Sequence, residues 1–374
     1  MIHVVLGCLY GDEGKGQTVN SLSNPDSLVI RFSGGHQCGH TVVNNGRQHT
    51  FSQYGAGTFK RTDTYISEFC TVYPKGWLKE FNQLQNIISV ENVCKYYVDP
   101  FAMVTTPYDI AFNKVMEGLK QHGSCGVGVG NTVGRNLDCH TLFARDLKVP
   151  VLFSHKLDKI EEYYRNKLSD FDILDMEIAF DMLLKDEFAG WEDACYEYCN
   201  KVDIQSPSYE NYKDLIFEGS QGIMLDQRIG MFPHVTRSNT TVQNVLDFMN
   251  RYHINRYYIN NNEEKKVHYV TRAYMTRHGN GPFPINPVNL IGDFKNKETN
   301  KTNDWQGHFK VSKMDFSLLQ HAIEMNNTLL AKSKFQWETE LVVTCCDHVE
   351  NFKEEPFNEM SVNKISFKYQ KDWK

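Results

Sequence analysis

The chain has 374 residues, of which 41% are hydrophobic and 23% charged, a composition typical of a globular protein with a sizeable core. Its net charge of −6 argues against a general attraction to nucleic acid or to acidic membrane surfaces. The sequence has no recognisable signal peptide and no apolar run long enough to span a bilayer, so we expect a cytoplasmic protein. The ten cysteines lack metal-binding spacing and are expected to be reduced.

A glycine-rich segment, residues 7–16, follows a predicted strand at residues 2–6 and precedes a predicted helix at residues 17–22. This order is typical of phosphate sites, because loop amides and a helix N-terminus both attract anions. Lys15 is placed to reach the outer phosphates of a nucleotide. The segment is not a Walker A motif, since Leu9 replaces its first glycine.

Two carboxylates, Asp12 and Glu13, lie inside this loop. These carboxylates would repel a bound phosphate unless a divalent cation lies between carboxylate and phosphate, or unless a carboxylate takes part in proton transfer. The alternative interpretation is a tight strand–helix turn with solvated acids.

The next elements are a buried strand at residues 27–32 and a loop at residues 33–43 that is rich in glycine and histidine. Such a composition indicates a functional loop rather than a plain turn. A helix is predicted over residues 109–120 with Asp109 as its cap, followed by a second glycine loop at 123–130. The charged, helix-period pattern over residues 155–202 predicts a helical insertion.

Short strands are predicted at residues 214–217, 267–274 and 341–344, and Asp315 is expected to cap a helix that ends near residue 325. The polar tail after Asn351 predicts nothing specific. Strands that run into glycine-rich loops, with helices between them, predict an α/β fold with a large, mainly parallel central sheet. The glycine-rich nucleotide loops should lie at the carboxyl edge of its strands. We expect one domain over residues 1–374.

Four segments, in this order, resemble the adenylosuccinate synthetase family. Each alone is a weak signal, but the four together are specific and cover most of the chain. They are residues 11–16 (Gly-Asp-Glu-Gly-Lys-Gly), 34–41 (Gly-Gly-His-Gln-Cys-Gly-His-Thr), 217–222 with 235–241 (Phe-Glu-Gly-Ser-Gln-Gly and Val-Thr-Arg-Ser-Asn-Thr-Thr), and 273–284 (Ala-Tyr-Met-Thr-Arg-His-Gly-Asn-Gly-Pro-Phe-Pro).

The resemblance implies a purine nucleotide ligase. A nucleoside triphosphate phosphorylates the 6-oxygen of a 6-oxopurine monophosphate, and the amino group of L-aspartate then displaces that phosphate. The chemistry needs a fixed base, because the 6-oxygen is a poor nucleophile while the neighbouring ring nitrogen holds its proton. Asp12 matches the family's base. His40 matches the acid that stabilises charge on the moving phosphoryl group; for His40 alone, a hydrogen-bonded loop histidine is the alternative.

The resemblance also implies Mg²⁺, held by Asp12 and by the carbonyl of Gly39, which would explain acids in a phosphate loop. The implied catalytic residues are Asp12, His40 and Gln221. The implied triphosphate-binding residues are Asp12, Glu13, Gly14, Lys15, Gly16, Gln17, Gly39, His40, Thr41 and Asp347. The implied monophosphate-binding residues are Asp12, Gln37, Cys38, Ser124, Cys125, Arg135, Gln221 and Thr236.

Within this set, Gln37 and Gln221 are candidates to bond the base edge or the 6-oxygen, the alternative being polar residues of a turn and a strand end. Arg135 is the candidate for a phosphate-binding arginine that in the family reaches across a homodimer interface. A surface arginine is the alternative for Arg135.

Three departures from the family concern the substrates. A Thr-Lys-Leu-Asp segment that recognises the guanine of GTP is replaced by residues 344–347 (Thr-Cys-Cys-Asp), and the loop that completes this pocket is expected to be truncated near residues 365–366. ATP or dATP is therefore the expected donor. A Thr-Thr-Gly-Arg-Gly loop has become residues 124–128 (Ser-Cys-Gly-Val-Gly).

The third departure is the arginine-rich aspartate loop, which is replaced by residues 298–310. The carboxylates of aspartate still need donors or cations there, although a solvated polar loop is the alternative. The expected aspartate-binding residues are Thr299, Thr302, Asn303 and Lys310.

These departures are similar to the divergent branch found in some phages, which joins aspartate to dGMP in the host cytoplasm to make 2-aminoadenine for modified DNA. Guanine and hypoxanthine present the same ring N–H and 6-oxo group, so the chemistry is preserved. Some members of that branch replace the Asp12 equivalent with serine, so its presence keeps IMP as an alternative substrate. A regulator that binds nucleotides without turnover is a third possibility, but it would need neither Asp12 nor His40.

Overall fold

The computed structural model describes residues 1–120, 123–171, 174–254, 264–291 and 308–369. The strands in these ranges are β1 (Ile2–Gly7), β2 (Ser27–Arg31), β3 (His40–Asn44), β4 (Arg47–Phe51), β5 (Asp63–Ile66), β6 (Thr71–Val72), β7 (Tyr96–Val98), β8 (Met103–Val104), β9 (Asp214–Glu218), β10 (Lys265–Arg272), β11 (Tyr274–Arg277), β12 (Lys310–Lys313), β13 (Glu338–Thr344) and β14 (Lys364–Phe367). The helices are α1 (Lys15–Leu22), α2 (Pro74–Ile88), α3 (Pro107–Lys120), α4 (Val129–Leu137), α5 (Pro150–Ser169), α6 (Leu174–Phe188), α7 (Trp191–Lys201), α8 (Gln243–Arg251) and α9 (Phe316–Ala331).

An eight-stranded sheet in the order β14-β13-β10-β1-β9-β2-β5-β7 forms the centre of the fold, and every neighbouring pair is parallel. A parallel sheet is covered on both faces, and every residue of β1 and β2 is accordingly buried. Alternate residues of β1 accordingly enter two different cores. Val5 packs in the core that contains Trp77 of α2, and Leu6 in the core that contains Phe248 of α8. The predicted α/β fold with a mainly parallel sheet is confirmed.

Two local predictions need correction. The first concerns helix α3, which begins at Pro107, so Asp109 lies in its first turn and is not the cap. Its carboxylate accepts hydrogen bonds from the backbone N–H (2.7 Å) and hydroxyl (2.8 Å) of Thr106, which occupies the N-cap position. This is the reciprocal arrangement of a capping box. Asp315, by contrast, caps α9 as predicted, and that helix continues to Ala331.

The second correction concerns the strand predicted at residues 267–274. Strand β10 ends at Arg272, and the chain then leaves the central sheet as β11, which pairs antiparallel with β12. Residues 365–366, near which the C-terminal loop is predicted to be truncated, form part of the edge strand β14, and the truncation stays a prediction. Ile365 pairs with Leu341 of β13 and packs against the second core, which explains the strand.

Helices α5, α6 and α7 occupy most of the segment predicted to be helical. The single-domain organisation stays a prediction. No helix in the described ranges has both the length and the apolar character that a membrane crossing requires.

Candidate active site

The loops that follow β1, β2, β9 and β13 meet at the carboxyl edge of the sheet and are bonded to one another. Met224, just beyond β9, donates its N–H to the carbonyl of Leu9 (3.0 Å). The Thr344 hydroxyl at the end of β13 donates to the Glu13 carbonyl (2.8 Å). Ser220 and Ser33 share a buried hydroxyl contact of 2.9 Å. Thr276 of the segment 273–284 contacts the Gly11 carbonyl through its hydroxyl. The four segments that resemble the family therefore surround one site.

The phosphate loop places the Asp12 carboxylate on the open side of this site. Asp12 has a left-handed backbone (φ 58°) between Gly11 (φ 87°) and Gly14 (φ 96°), and its side chain keeps 26% of its surface exposed. A left-handed non-glycine residue is strained and persists only where its surroundings hold it. Arg272 does so by donating a hydrogen bond to the Asp12 carbonyl. Helix α1 starts directly after Gly14 without a side-chain cap, which leaves its first amides for an anion.

Glu13 and Lys15 point inwards rather than to solvent, so the interpretation of solvated acids is wrong for Glu13. The Glu13 carboxylate accepts from the Leu9 N–H (2.6 Å) and lies 3.9 Å from the Lys15 ammonium. Burial raises the pKa of Glu13 to about 7, although Lys15 opposes this. Lys15 also donates to the carbonyl of Gln221, and a contact with phosphate would require it to turn away from that carbonyl.

His40 forms a buried pair with Glu218, in which His40 Nδ1 contacts Glu218 Oε1. Glu218 has no exposed surface and also accepts from the Ala56 N–H at 3.0 Å. Burial lowers the pKa of His40. Burial opposes ionisation of Glu218, but His40 and Arg31 hold the pKa of this carboxyl below its usual range. An ionised Glu218 therefore fixes the imidazole and leaves Nε2 for a ligand.

Gly16 brings α1 against this histidine. A Cβ atom added to Gly16 would lie 2.7 Å from His40 Cβ, so only glycine fits there. Gln17 of the same helix uses its side-chain amide on the backbone of Val43, at 2.9 and 3.0 Å. The side-chain amide thus joins α1 to β3, and the predicted phosphate contact of Gln17 would be made by its backbone N–H in the first turn of α1. Thr41 bonds to Thr50 at 2.9 Å on an exposed surface.

Most of the predicted monophosphate residues lie together beside the phosphate loop, residues 7–16. Gln221 has a left-handed backbone (φ 56°), and its side-chain amide contacts Cys38 Sγ at 3.3 Å. Cys125 lies close to Cys38, and burial raises the pKa of the Cys125 thiol to about 11. Gln37 Oε1 is buried and has no hydrogen-bond partner among the described residues, as expected of a group that awaits a ligand.

Two further monophosphate candidates are Ser124 and Thr236. Ser124 is engaged by Asn113 of α3, whose side-chain amide donates to its hydroxyl (3.1 Å). Thr236 bonds through its N–H to Leu225, and the adjacent Ser238 hydroxyl accepts from the Gly34 N–H at 3.1 Å. The segment around Thr236 is thus fixed against the glycine–histidine loop.

The prediction for Arg135 does not fit the structure. Its guanidinium is fully buried and forms an ion pair with Asp109, with Nε 2.8 Å from Oδ1 and Nη2 3.0 Å from Oδ2. The remaining N–H groups donate to the carbonyls of Val104 and His140. Arg135 is therefore neither a surface residue nor one that can reach a partner subunit without breaking this ion pair.

The donor-side residues lie where β13 ends. Asp347 belongs to a short 3₁₀ helix (Cys346–His348) that begins two residues after Thr344, and the Thr344 side chain packs on Gly14 of the phosphate loop. Cys345 has a left-handed backbone (φ 56°). Burial acts to raise the pKa of the Cys345 thiol, but a hydrogen bond from His348 and the charge of Arg272 outweigh burial and hold this pKa below its usual range.

Of the predicted aspartate-binding residues, Thr299, Thr302 and Asn303 lie outside the described residues. Lys310 begins β12, and its ammonium donates to the Gly279 carbonyl at 2.7 Å. Burial and the nearby charge of Arg277 lower the pKa of Lys310. Lys310 is thus positioned beside the segment that follows β11.

Sequence reasoning missed three residues that shape the site: Glu218, Arg272 and His278. Glu218 could have been found from the sequence, because it lies within a segment that resembles the family and is an acidic residue at the end of a buried strand. Arg272 supports Asp12 through the backbone. His278 Nε2 lies 3.9 Å from Asp12 Oδ2.

The oxygen donors of the site suit Mg²⁺, which prefers carboxylates, carbonyls and phosphate oxygens. Asp12 offers a partly exposed carboxylate and Gly39 an exposed backbone. Within the described ranges, no group of three or more metal-binding side chains forms a dedicated cage. An ion held here would complete its coordination with substrate phosphates and water.

The fold and the site together define an α/β enzyme that binds nucleotide phosphates and carries a carboxylate and a carboxylate-oriented histidine beside its phosphate loop. A profile described as adenylosuccinate synthetase matches residues 4–358. The adenylosuccinate synthetase of Buchnera aphidicola is 30% identical over 330 residues, which cover 87% of this chain and 74% of that protein. The corresponding enzyme of Legionella pneumophila is 30% identical over 77% of this chain and 66% of its own length.

Two solved structures share the fold. The fully ligated adenylosuccinate synthetase of Plasmodium falciparum has a TM-score of 0.66 at 19% identity, covering 92% of this chain and 77% of that one. The succinoaminodeoxyadenylate synthetase of cyanophage S-2L, bound to dGMP and to dATP as an energy donor, has a TM-score of 0.59 at 16% identity, covering 93% and 85%. The chain belongs to the adenylosuccinate synthetase family, whose members are ligases that join aspartate to a purine nucleotide.

Proposed function

We propose that this ligase joins L-aspartate to carbon 6 of dGMP and uses ATP or dATP as phosphoryl donor. The product is the precursor of a 2-aminoadenine deoxynucleotide. A homodimer in the cytoplasm, or in the host cytoplasm for a viral protein, remains part of the proposal.

The observation that carries the choice of substrates is the replacement on the donor side. Cys345 occupies the position of the family's base-packing lysine, and it lies beside His348 and Arg272 rather than presenting a long cationic stem to a guanine. Without this lysine we expect GTP to bind weakly as a donor, which favours ATP or dATP in that role. A guanine nucleotide can then serve as the acceptor without competing for the donor site. The cyanophage enzyme that shares the fold combines these two ligands, dGMP and dATP.

In the proposed first step, Asp12 accepts the proton from ring nitrogen 1 of the purine, and the electron pair shifts to the 6-oxygen. That oxygen attacks the γ-phosphorus of the donor, and the bond from phosphorus to the β,γ-bridging oxygen breaks. His40 donates a hydrogen bond from Nε2 to the charge that develops on the transferred group when both of its ring nitrogens are protonated, a form that the ionised Glu218 at Nδ1 and the charge of the bound phosphates favour. Bound Mg²⁺, held by Asp12 and the Gly39 carbonyl, would neutralise phosphate charge.

In the second step, the neutral amino group of aspartate attacks carbon 6, and the bond from carbon 6 to the 6-oxygen breaks. Inorganic phosphate leaves with that oxygen and accepts the proton that the nitrogen loses. Lys310 is the described cation available for the carboxylates of aspartate. Gln221 and Gln37 hold the base and its 6-oxygen, and Thr236, Ser124 and Cys125 hold the rest of the monophosphate.

A second candidate is an adenylosuccinate synthetase that uses IMP with GTP or ATP. Asp12 supports it, and so does the 30% identity to the adenylosuccinate synthetases of Buchnera aphidicola and Legionella pneumophila. A regulator that binds nucleotides without turnover is the third candidate, but binding alone does not require a histidine oriented by a buried carboxylate, as in the His40–Glu218 pair.

Phosphate release distinguishes the three candidates. The protein is incubated with aspartate, Mg²⁺ and ATP, dATP or GTP, and is offered dGMP, GMP or IMP in turn, with the adduct identified by mass spectrometry. Turnover of dGMP with an adenine donor is the expected result. Turnover of IMP alone would establish the second candidate, and no turnover with any pair would favour the regulator. Calorimetric titration of the same monophosphates separates base selectivity from sugar selectivity.

A further inference from the structure

We infer that His278 recognises the 2-amino group of a guanine acceptor while Asp12 engages ring nitrogen 1. The inference rests on the proposed function and extends it to the residue that separates guanine from hypoxanthine.

His278 is held in place by the strand that precedes it. Strand β11 ends at Arg277, and its pairing with β12 places Arg277 opposite Lys310. The Thr276 hydroxyl contacts the Gly11 carbonyl, so β11 is also joined to the phosphate loop directly before Asp12. The position of His278 relative to Asp12 is therefore fixed by backbone elements, which suits a residue that determines specificity.

His278 and Asp12 do not satisfy each other. His278 Nε2 lies 3.9 Å from Asp12 Oδ2, beyond hydrogen-bond distance, although the two side chains are only 13% and 26% exposed. His278 Nδ1 is buried and has no hydrogen-bond partner among the described residues. The imidazole is oriented instead by packing on Phe309, with ring centroids 4.9 Å apart. A half-buried polar pair separated by such a gap is suited to a ligand that supplies hydrogen-bond donors to both.

Guanine supplies two such donors on one edge, the N–H of ring nitrogen 1 and the neighbouring 2-amino group. When the Asp12 carboxylate accepts from ring nitrogen 1, an acceptor next to it receives a hydrogen from the 2-amino group. No described residue bonds to His278 Nδ1, so no protein partner fixes the tautomer of this ring. The tautomer that is protonated at Nδ1 has its lone pair on Nε2 and provides this acceptor. Hypoxanthine has no 2-amino group, so it leaves Nε2 without a donor, which favours guanine about 3- to 10-fold if one neutral hydrogen bond is lost.

The test compares wild-type protein with His278→Leu, which removes the acceptor, and His278→Gln, which keeps an amide oxygen. The readouts are the ratio of kcat/KM for dGMP to kcat/KM for IMP and the calorimetric Kd of each nucleotide. For His278→Leu we expect the dGMP:IMP ratio to fall about 3- to 10-fold, mainly through dGMP. His278→Gln should retain part of the preference. His321→Leu, which changes an exposed histidine of α9, is the matched control and should leave the ratio unchanged.

An unchanged ratio in His278→Leu, or equal losses for both nucleotides, would overturn the inference, since the second pattern indicates a purely structural role. Failure of the proposed function is a different result, namely wild-type protein that neither turns over nor binds dGMP. If the wild type binds dGMP without turnover, the calorimetric comparison of His278→Leu with wild type still decides the role of His278.

Discussion

The His40–Glu218 pair gives the sharpest single prediction, the effect of Glu218→Gln. Glutamine has nearly the same shape and can still accept the Ala56 N–H, which Glu218 accepts at 3.0 Å, but it lacks the charge that fixes His40. A hydrogen bond to a charged group contributes about 1.5–3 kcal/mol. If His40 acts only in the transition state, this corresponds to a kcat reduced by about 10- to 150-fold, with little change in KM.

Stability must be separated from catalysis in this experiment, because Glu218 also neutralises the buried Arg31. Glu80→Gln is the matched control. Glu80 is another buried carboxylate beside a histidine, 3.4 Å from His49, and it accepts backbone N–H groups from Ser52 and Gln53. Both variants should lower the Tm, but only Glu218→Gln should lower kcat in the phosphate-release assay. Equal kcat values for Glu218→Gln and the wild type would refute the role given to Glu218.

Three further predictions follow from the packing and charge of other residues. Gly16→Ala should lower kcat, because the added Cβ would lie 2.7 Å from His40 Cβ and displace the histidine. The control is Gly118→Ala on α3, where the added Cβ meets nothing within 4 Å, so this variant should keep its activity and be neutral or more stable. Equal activities of the two variants would contradict the packing argument. Lys310→Ala should raise the KM for aspartate more than that for either nucleotide, and equal increases would argue against its placement at the aspartate site. Burial and the neighbouring His268 lower the pKa of His3 from 6.5 to about 4, so the stabilisation present above pH 6.5 should be lost as pH falls towards 4; His3→Asn should flatten the dependence of Tm on pH over this range, and an unchanged profile would contradict it.

Much of the architecture was predictable because it depends on local signals. The apolar strand β1, the glycine-rich loop and the start of α1 are contiguous in sequence, and a strand that leads into a glycine-containing loop recurs at β2 and β9. Parallel strands place such loops at one edge, so the convergence of the four segments followed from the fold class.

The errors arose where a residue's role depends on a distant partner. Arg135 forms a buried ion pair with Asp109, which is 26 residues away in the sequence, and Glu218 contacts His40, which is 178 residues away. Neither pairing has a local sequence signature, because the sheet and helix packing bring the partners together. The edge strand β14 was missed for a related reason, since its short, mixed sequence becomes a strand only by pairing with β13.

The most direct test of the account is the activity of Asp12→Asn with dGMP, aspartate and an adenine triphosphate. Asparagine tolerates the left-handed backbone at this position as well as aspartate does, so the loop should keep its shape and the Tm should change little. Loss of the base should lower kcat by about 10²- to 10⁴-fold, with no adduct detected on the wild-type timescale. If the asparagine variant turns over dGMP at the wild-type rate, the claim that Asp12 removes the purine proton is contradicted.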